Sequence, residues 1–117
     1  PYRIDALFIE GHTDKQLLMR GGRDTNIDLS TSRAINTYLA LIGKQPDLDG
    51  LQTQYRGLGS KSGRLVPILS VSGYGLNRTI PGYDSFSAAD LSKNRRIDLR
   101  FLMVTPDPES ARNMLLQ

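Results

Sequence analysis

The 117-residue sequence contains no cysteine and only one histidine. The absence of cysteine excludes disulfide frameworks, thiolate zinc sites, iron–sulfur clusters and thiol nucleophiles. A single histidine excludes sites and mechanisms that need two. The Gly-x-Ser-x-Gly turn that presents a nucleophilic serine is missing as well. We therefore expect a protein that is not an enzyme and that carries no cofactor.

Long apolar runs are also absent, since no segment approaches the roughly 20 residues that a membrane helix needs. The first residues, Pro1 to Asp5, are not followed by the apolar core of a signal peptide, and there is no initiator methionine. We expect the chain to begin inside a longer protein, which would supply any membrane tether.

The charge balance is mild, with 15 Lys and Arg against 12 Asp and Glu and a net charge of +3. Hydrophobic residues make up 38% of the chain, which is typical of one globular domain. Three Phe and five Tyr form no platform interleaved with basic residues, although Arg95, Arg96 and Arg100 are clustered. We expect no nucleic-acid partner.

Three short apolar segments predict β-strands, at residues 4–9, 68–74 and 96–104. The third has the clearest alternation, with apolar residues at 97, 99, 101 and 103 and charged residues at 96, 98 and 100. This pattern predicts one buried and one solvated face.

Apolar residues at spacings of three and four predict a helix over residues 31–42: Ala34, Ile35, Tyr38, Leu39 and Ile42. Ser30 is the expected N-cap and Gly43 the expected stop. A shorter helix is predicted over 46–55, a helical turn over 86–94, and a helical or flexible tail over 105–117. Residues 15–28, 57–63 and 75–85 are expected to be loops. Because strand–helix–strand units give parallel pairs, we expect an α/β fold, a two-layer sandwich.

The only histidine lies beside an acid, in the sequence Gly11-His12-Thr13-Asp14. A His-x-Asp pair after a strand can belong to a metal site or an acid/base pair, but further ligands are missing. The other reading is a turn in which Asp14 accepts hydrogen bonds from nearby backbone N–H groups.

Arginines near the ends of predicted elements are candidates for binding an anion or forming an ion pair. With Ser30 as the cap, Arg33 would lie in the first helical turn, where a cation faces the positive end of the helix dipole. It is either solvated or placed there to hold an anion or to pair with Asp14. Arg95 and Arg96 precede the last strand and point to opposite sides, so one of them could reach the same edge.

Four motifs resemble the OmpA-like domain, the peptidoglycan-anchoring module of OmpA, Pal and MotB-type proteins. They occur in the family's order and span Ile9 to Val104: Ile-Glu-Gly-His-Thr-Asp at 9–14, Asn-Ile-Asp-Leu-Ser-Thr-Ser-Arg-Ala at 26–34, Gly-Tyr-Gly at 73–75, and Asn-Arg-Arg-Ile at 94–97. Each motif alone is weak, but the set is specific.

The resemblance implies a non-catalytic module that binds the diaminopimelate residue of the peptidoglycan stem peptide in a Gram-negative periplasm. By family pattern, Asp14 would hold the ligand's ammonium and Arg33 its carboxylate. Thr13, Asn26, Leu29 and Arg95 match positions that line the family's pocket. The domain would cover residues 1–104 and have a mixed sheet with helices on one face.

The chain departs from the family pattern in three places. The strand and helix that open the family domain are missing, the loop from Asp14 to Asn26 is long, and residues 45–67 form an insertion. The insertion resembles MotB-type stator relatives, including those of Zorya anti-phage systems. Because the long loop borders the pocket, the alternative is a structural or dimerisation module, a homodimer for instance, that keeps the fold without the ligand.

Overall fold

A three-stranded mixed sheet forms the centre of the protein, seen in a computed structural model that describes residues 3–54 and 64–104. The central strand β1 (Arg3–His12) runs parallel to β6 (Leu69–Gly73) and antiparallel to β7 (Arg96–Val104). The three predicted strands, the parallel pair and the mixed α/β class are thereby confirmed. The predicted loop at 57–63 and tail at 105–117 lie outside the described residues.

One face of the sheet is covered by the long helix α1 (Asn26–Lys44). Leu7, Ile9 and Gly11 lie on the covered face, because alternate residues of a strand share a face and a Cβ at Gly11 would clash with the backbone of Ser30. The helix buries Ala34 completely, and Leu7 and Ile9 are also buried. Gly11 thus allows helix and strand to approach closely, which places the helix over the end of β1.

The helix begins five residues earlier than the sequence predicted, so the assignment of Ser30 as N-cap was wrong. Thr25 is the residue before the first turn, and its hydroxyl donates to the carbonyl of Leu18. Ser30 lies inside the helix and is fully buried, where its Oγ donates to Ile27 O and accepts from Gly75 N at 2.9 Å. From the sequence, a buried serine that links a helix to a loop by a hydrogen bond cannot be distinguished from a helix-capping serine.

The predicted loop at 15–28 contains structure. Two-residue strands β2 (Met19–Arg20) and β3 (Arg23–Asp24) form a hairpin. Gly21 and Gly22 have φ of 59° and 81°, which is the left-handed conformation that a tight two-residue hairpin turn requires.

The predicted helix at 46–55 was also only partly right. A 3₁₀ helix covers Pro46–Gly50, and the chain then extends into β4 (Gln52–Gln54), which pairs with β5 (Leu65–Pro67). The helical turn predicted before the last strand is confirmed as α2 (Ala88–Asn94), which the Ser87 hydroxyl caps by accepting from Asp90 N. No helix of the described ranges is long and apolar enough to cross a membrane.

The apolar face of β7 is only half-buried, contrary to the prediction. Leu99, Phe101 and Met103 keep 49%, 52% and 46% of their surface exposed. The reason is tertiary: α1 packs against β1 and β6, and β7 is an edge strand of the sheet in the part of the chain described. Within the predicted helix stripe, Ile35 and Leu39 are also exposed.

Candidate functional site

A pocket of about 480 Å³ opens where β1 and β6 end and β7 begins. All six residues proposed from the sequence line it together with three that were not foreseen: Thr13, Asp14, Asn26, Leu29, Arg33 and Arg95, then Gln16, Leu17 and Leu18. Ligands of α/β sheets bind beyond the carboxyl ends of the parallel strands, and the pocket is at such an edge.

Asp14 is the only carboxylate that lines the pocket among the described residues, and it is engaged on both oxygens. Its Oδ1 accepts from Gln16 N at 2.9 Å, and its Oδ2 is 2.8 Å from Nη1 of Arg95. The Asp14 side chain is 10% exposed, whereas that of Arg95 is 45% exposed. The turn reading of Asp14 is therefore confirmed, whereas its ion pair is formed with Arg95 and not with Arg33, the pairing that the sequence suggested.

Arg33 approaches the pocket from α1 and is exposed. It is the eighth residue of the helix, so the expected position in the first turn, facing the helix dipole, was wrong. Within the described ranges no carboxylate lies within 4 Å of its guanidinium. With Arg95 and Arg96 it also borders an adjoining cavity of about 330 Å³. Arg33 and Arg95 therefore supply the positively charged side chains of the site.

Asn26 is buried at the first position of α1 and holds the preceding loop. Its Nδ2 donates to Gln16 O and to Asp24 Oδ1, both at 2.8 Å. Thr13 is fixed by its backbone, whose N–H donates to Gly75 O, while its buried hydroxyl has no hydrogen-bond partner among the described residues. Asn26 and Thr13 therefore shape the wall of the pocket.

The three unforeseen lining residues come from the segment before the β2–β3 hairpin. The only sequence signal for the hairpin was the Gly21-Gly22 pair, which is typical of a two-residue hairpin turn. That signal could have predicted the hairpin. It could not have predicted that Leu17 and Leu18 face the pocket, because this depends on side-chain bonds from Asp24 and Asn26.

A second polar cluster lies on the face of the sheet that α1 does not cover. Glu10, His12 and Asp98 bring a set of possible metal-ligand atoms within 4.8 Å of one another. In the part of the chain that the structure describes, both ring nitrogens of His12 are buried and no residue forms a hydrogen bond with them. The imidazole stacks on the ring of Tyr74, and its Nε2 is 3.2 Å from Asp98 Oδ2. Burial lowers the pKa of His12, and the charge of nearby Arg96 lowers it further, outweighing the two carboxylates.

Each carboxylate of this cluster already has an arginine as its ion-pair partner. Burial would raise the pKa of Glu10, but hydrogen bonds from Arg100 and Tyr74 together bring it below its usual value. Asp98 forms an ion pair with Arg96, whose Nε lies 3.1 Å from Asp98 Oδ2. Because a divalent cation would have to compete with these two guanidinium groups, we assign the cluster a structural role.

Neither a family model, nor a curated protein, nor a solved structure matches this chain. The charged groups that the pocket offers are one carboxylate and two guanidinium groups. Its net charge of +1 and its mixed signs suit a small ligand that carries both an ammonium and a carboxylate.

Proposed function

We propose that this chain binds peptidoglycan without catalysis, through the diaminopimelate residue of the stem peptide. It would anchor a larger envelope or motor-type protein, of the MotB stator kind, to the cell wall of a Gram-negative periplasm. The observation that carries the proposal is the meeting of Asp14, Arg33 and Arg95 around one pocket. The free end of diaminopimelate presents an ammonium and a carboxylate on one carbon, which is the charge pair that such a pocket would take.

The division of roles follows from the contacts. Arg33, with no carboxylate partner among the described residues, would bind the ligand carboxylate through its planar fork of N–H donors. Asp14 would accept the ammonium, because two carboxylate oxygens offer about four lone-pair sites and only two are used here. Arg95 would keep Asp14 charged and oriented.

We also propose that the fold is an OmpA-like two-layer sandwich, which a strand and a helix before β1 would complete. The uncovered apolar side chains of Leu99 and Phe101 support it, since both lie on the face that α1 covers elsewhere. Large exposed apolar surfaces of this kind usually mark a contact with another segment or molecule.

The test is co-sedimentation of the chain with purified sacculi. Sacculi with diaminopimelate should retain it, while sacculi with lysine should not, because lysine lacks the second carboxylate. Arg33→Ala should weaken retention about 10- to 150-fold, which corresponds to the roughly 1.5–3 kcal/mol of a charged hydrogen bond. Asp14→Asn should also weaken it.

Arg20→Ala is the matched control, because it removes the same charge from an exposed residue of the hairpin that does not line the pocket. Equal retention of wild type, Arg33→Ala and Asp14→Asn would contradict the proposal.

One observation favours a second candidate, a structural or dimerisation module that binds no ligand. Asp14 already has a cationic partner in Arg95, so the carboxylate of the pocket does not need the ammonium of a ligand. In that case wild type would not sediment with either kind of sacculus and would behave as a stable dimer in analytical ultracentrifugation.

A further inference from the structure

Two leucines stand exposed at the mouth of the pocket. Leu17 and Leu18, which we call the leucine lip, keep 68% and 39% of their surface accessible, yet both line the cavity that holds Asp14. Single exposed apolar residues are common and need no explanation. Two adjacent ones beside a charged pocket, in a segment held in one conformation, are a different case.

The backbone of the leucine lip is held on both sides. Before Leu17, Gln16 N donates to Asp14 Oδ1 and Gln16 O accepts from Asn26 Nδ2. At Leu18, the N–H donates to Asp24 Oδ1 at 3.1 Å and the carbonyl accepts from both the backbone N–H and the hydroxyl of Thr25.

Four backbone groups are thus satisfied around two side chains that stay in water. Asp24, Thr25 and Asn26 supply side chains for these hydrogen bonds, which hold the leucine lip in place. The Asp14 carboxylate that pins one end is also the anionic group of the pocket, so the lip and the charged site are built as one unit.

We infer that the leucine lip binds a linear alkyl chain attached to the zwitterionic group in the pocket. The inference depends on the proposed function and narrows its ligand: an α-amino acid end carried on several methylenes, as in diaminopimelate, and not a zwitterion alone. The charges would fix the end of the ligand, while the alkyl chain leaves the pocket across Leu17 and Leu18. Each methylene that becomes fully buried contributes about 0.8 kcal/mol, an increase of about fourfold in affinity.

A homologous series of free amino acids tests this directly. Glycine, D-alanine, D-norvaline and D-norleucine keep the same ammonium and carboxylate and differ only in methylene number. Their dissociation constants for the full chain can be measured by NMR titration, following the backbone amides of Thr13 and Gly75. For wild type we expect affinity to rise along the series, by about twofold to fourfold per methylene when the lip covers part of each.

The informative variant is the double substitution Leu17→Ser with Leu18→Ser. Because both side chains are exposed, it should fold, which circular dichroism and an unchanged melting temperature would verify. We expect it to bind glycine as wild type does and to lose the increase along the series. Met19→Ser is the matched control, since Met19 is the next residue, is 54% exposed and does not line the pocket.

The outcomes distinguish a failure of the leucine lip from a failure of the proposed function. Glycine binding with no increase along the series, or an increase that the double variant retains, overturns the leucine lip and leaves the proposed function standing. Failure of every member and of diaminopimelate itself to bind overturns both.

Discussion

Gly11→Ala is the substitution for which we expect a large loss of stability, because the added Cβ would clash with backbone. Gly11 lies in β1, buried under α1, and a Cβ there would be 2.9 Å from the carbonyl carbon of Ser30 and 3.3 Å from its Cα, with the carbonyl oxygen nearer still. All of these atoms belong to backbone, so no side chain can rotate away. Relief requires the strand and the helix to separate.

The size of the effect follows from these distances. Non-bonded carbon atoms settle at about 3.5–4.0 Å, so the helix must shift by at least about 0.6 Å. Overpacking a tight interior costs about 1–3 kcal/mol, and a clash between two backbone segments belongs at the upper end. We expect a loss of about 3 kcal/mol, or about 10–20 °C in melting temperature for a chain of this size. Arg33, three residues beyond Ser30 on the displaced helix, should move away from Asp14.

Thermal unfolding followed by circular dichroism measures the loss, and sacculus co-sedimentation measures the shift of Arg33. Gly43→Ala is the matched control, because Gly43 lies near the end of α1 and no atom of the described residues lies within 4 Å of the added Cβ. That variant should be as stable as wild type or slightly more so, since alanine favours helix over glycine. If Gly11→Ala melts at the same temperature as Gly43→Ala, the close approach of β1 and α1 is wrong.

Two further substitutions test the interior. Ser30→Ala should cost about 1–3 kcal/mol in urea unfolding, because it leaves the buried N–H of Gly75 without its acceptor, whereas the exposed Ser32→Ala should cost nothing; equal costs would refute the role of the Ser30 hydroxyl. His12 has a folded pKa below its unfolded value of about 6.5, so the unfolded chain binds the extra proton first and the free energy of unfolding should fall as the pH drops from 7 to 5. His12 is the only histidine, so His12→Gln should flatten that fall, and an unchanged pH dependence in the variant would exclude it as the source.

Much of the fold could be read from local patterns. The bounds of β7 were predicted residue for residue, since strict alternation of charged and apolar side chains is a strand signal independent of its surroundings. The start of α1 was not, because Asn26 to Ser30 carry no apolar stripe. This first turn is stabilised by Asp24, whose Oδ1 accepts from Asn26 N.

The six site residues came from a resemblance in motifs, and the structure brings them around one pocket. The contacts among them could not be predicted. Nothing in the sequence requires Asp14 to meet Arg95, which is 81 residues away, because the pair depends on β1 and β7 running antiparallel with His12 opposite Arg96.

The sequence by itself determined which segments are strands and helices, and which polar residue types are available, because these follow from short-range periodicity and composition. Tertiary structure alone decided which surfaces are covered and which charges meet. Leu99 has the alternation of a buried residue but is half exposed, since burial depends on what packs against a strand. Ser30 looks like a helix cap but is a buried tie to Gly75, because its neighbours come from a distant loop.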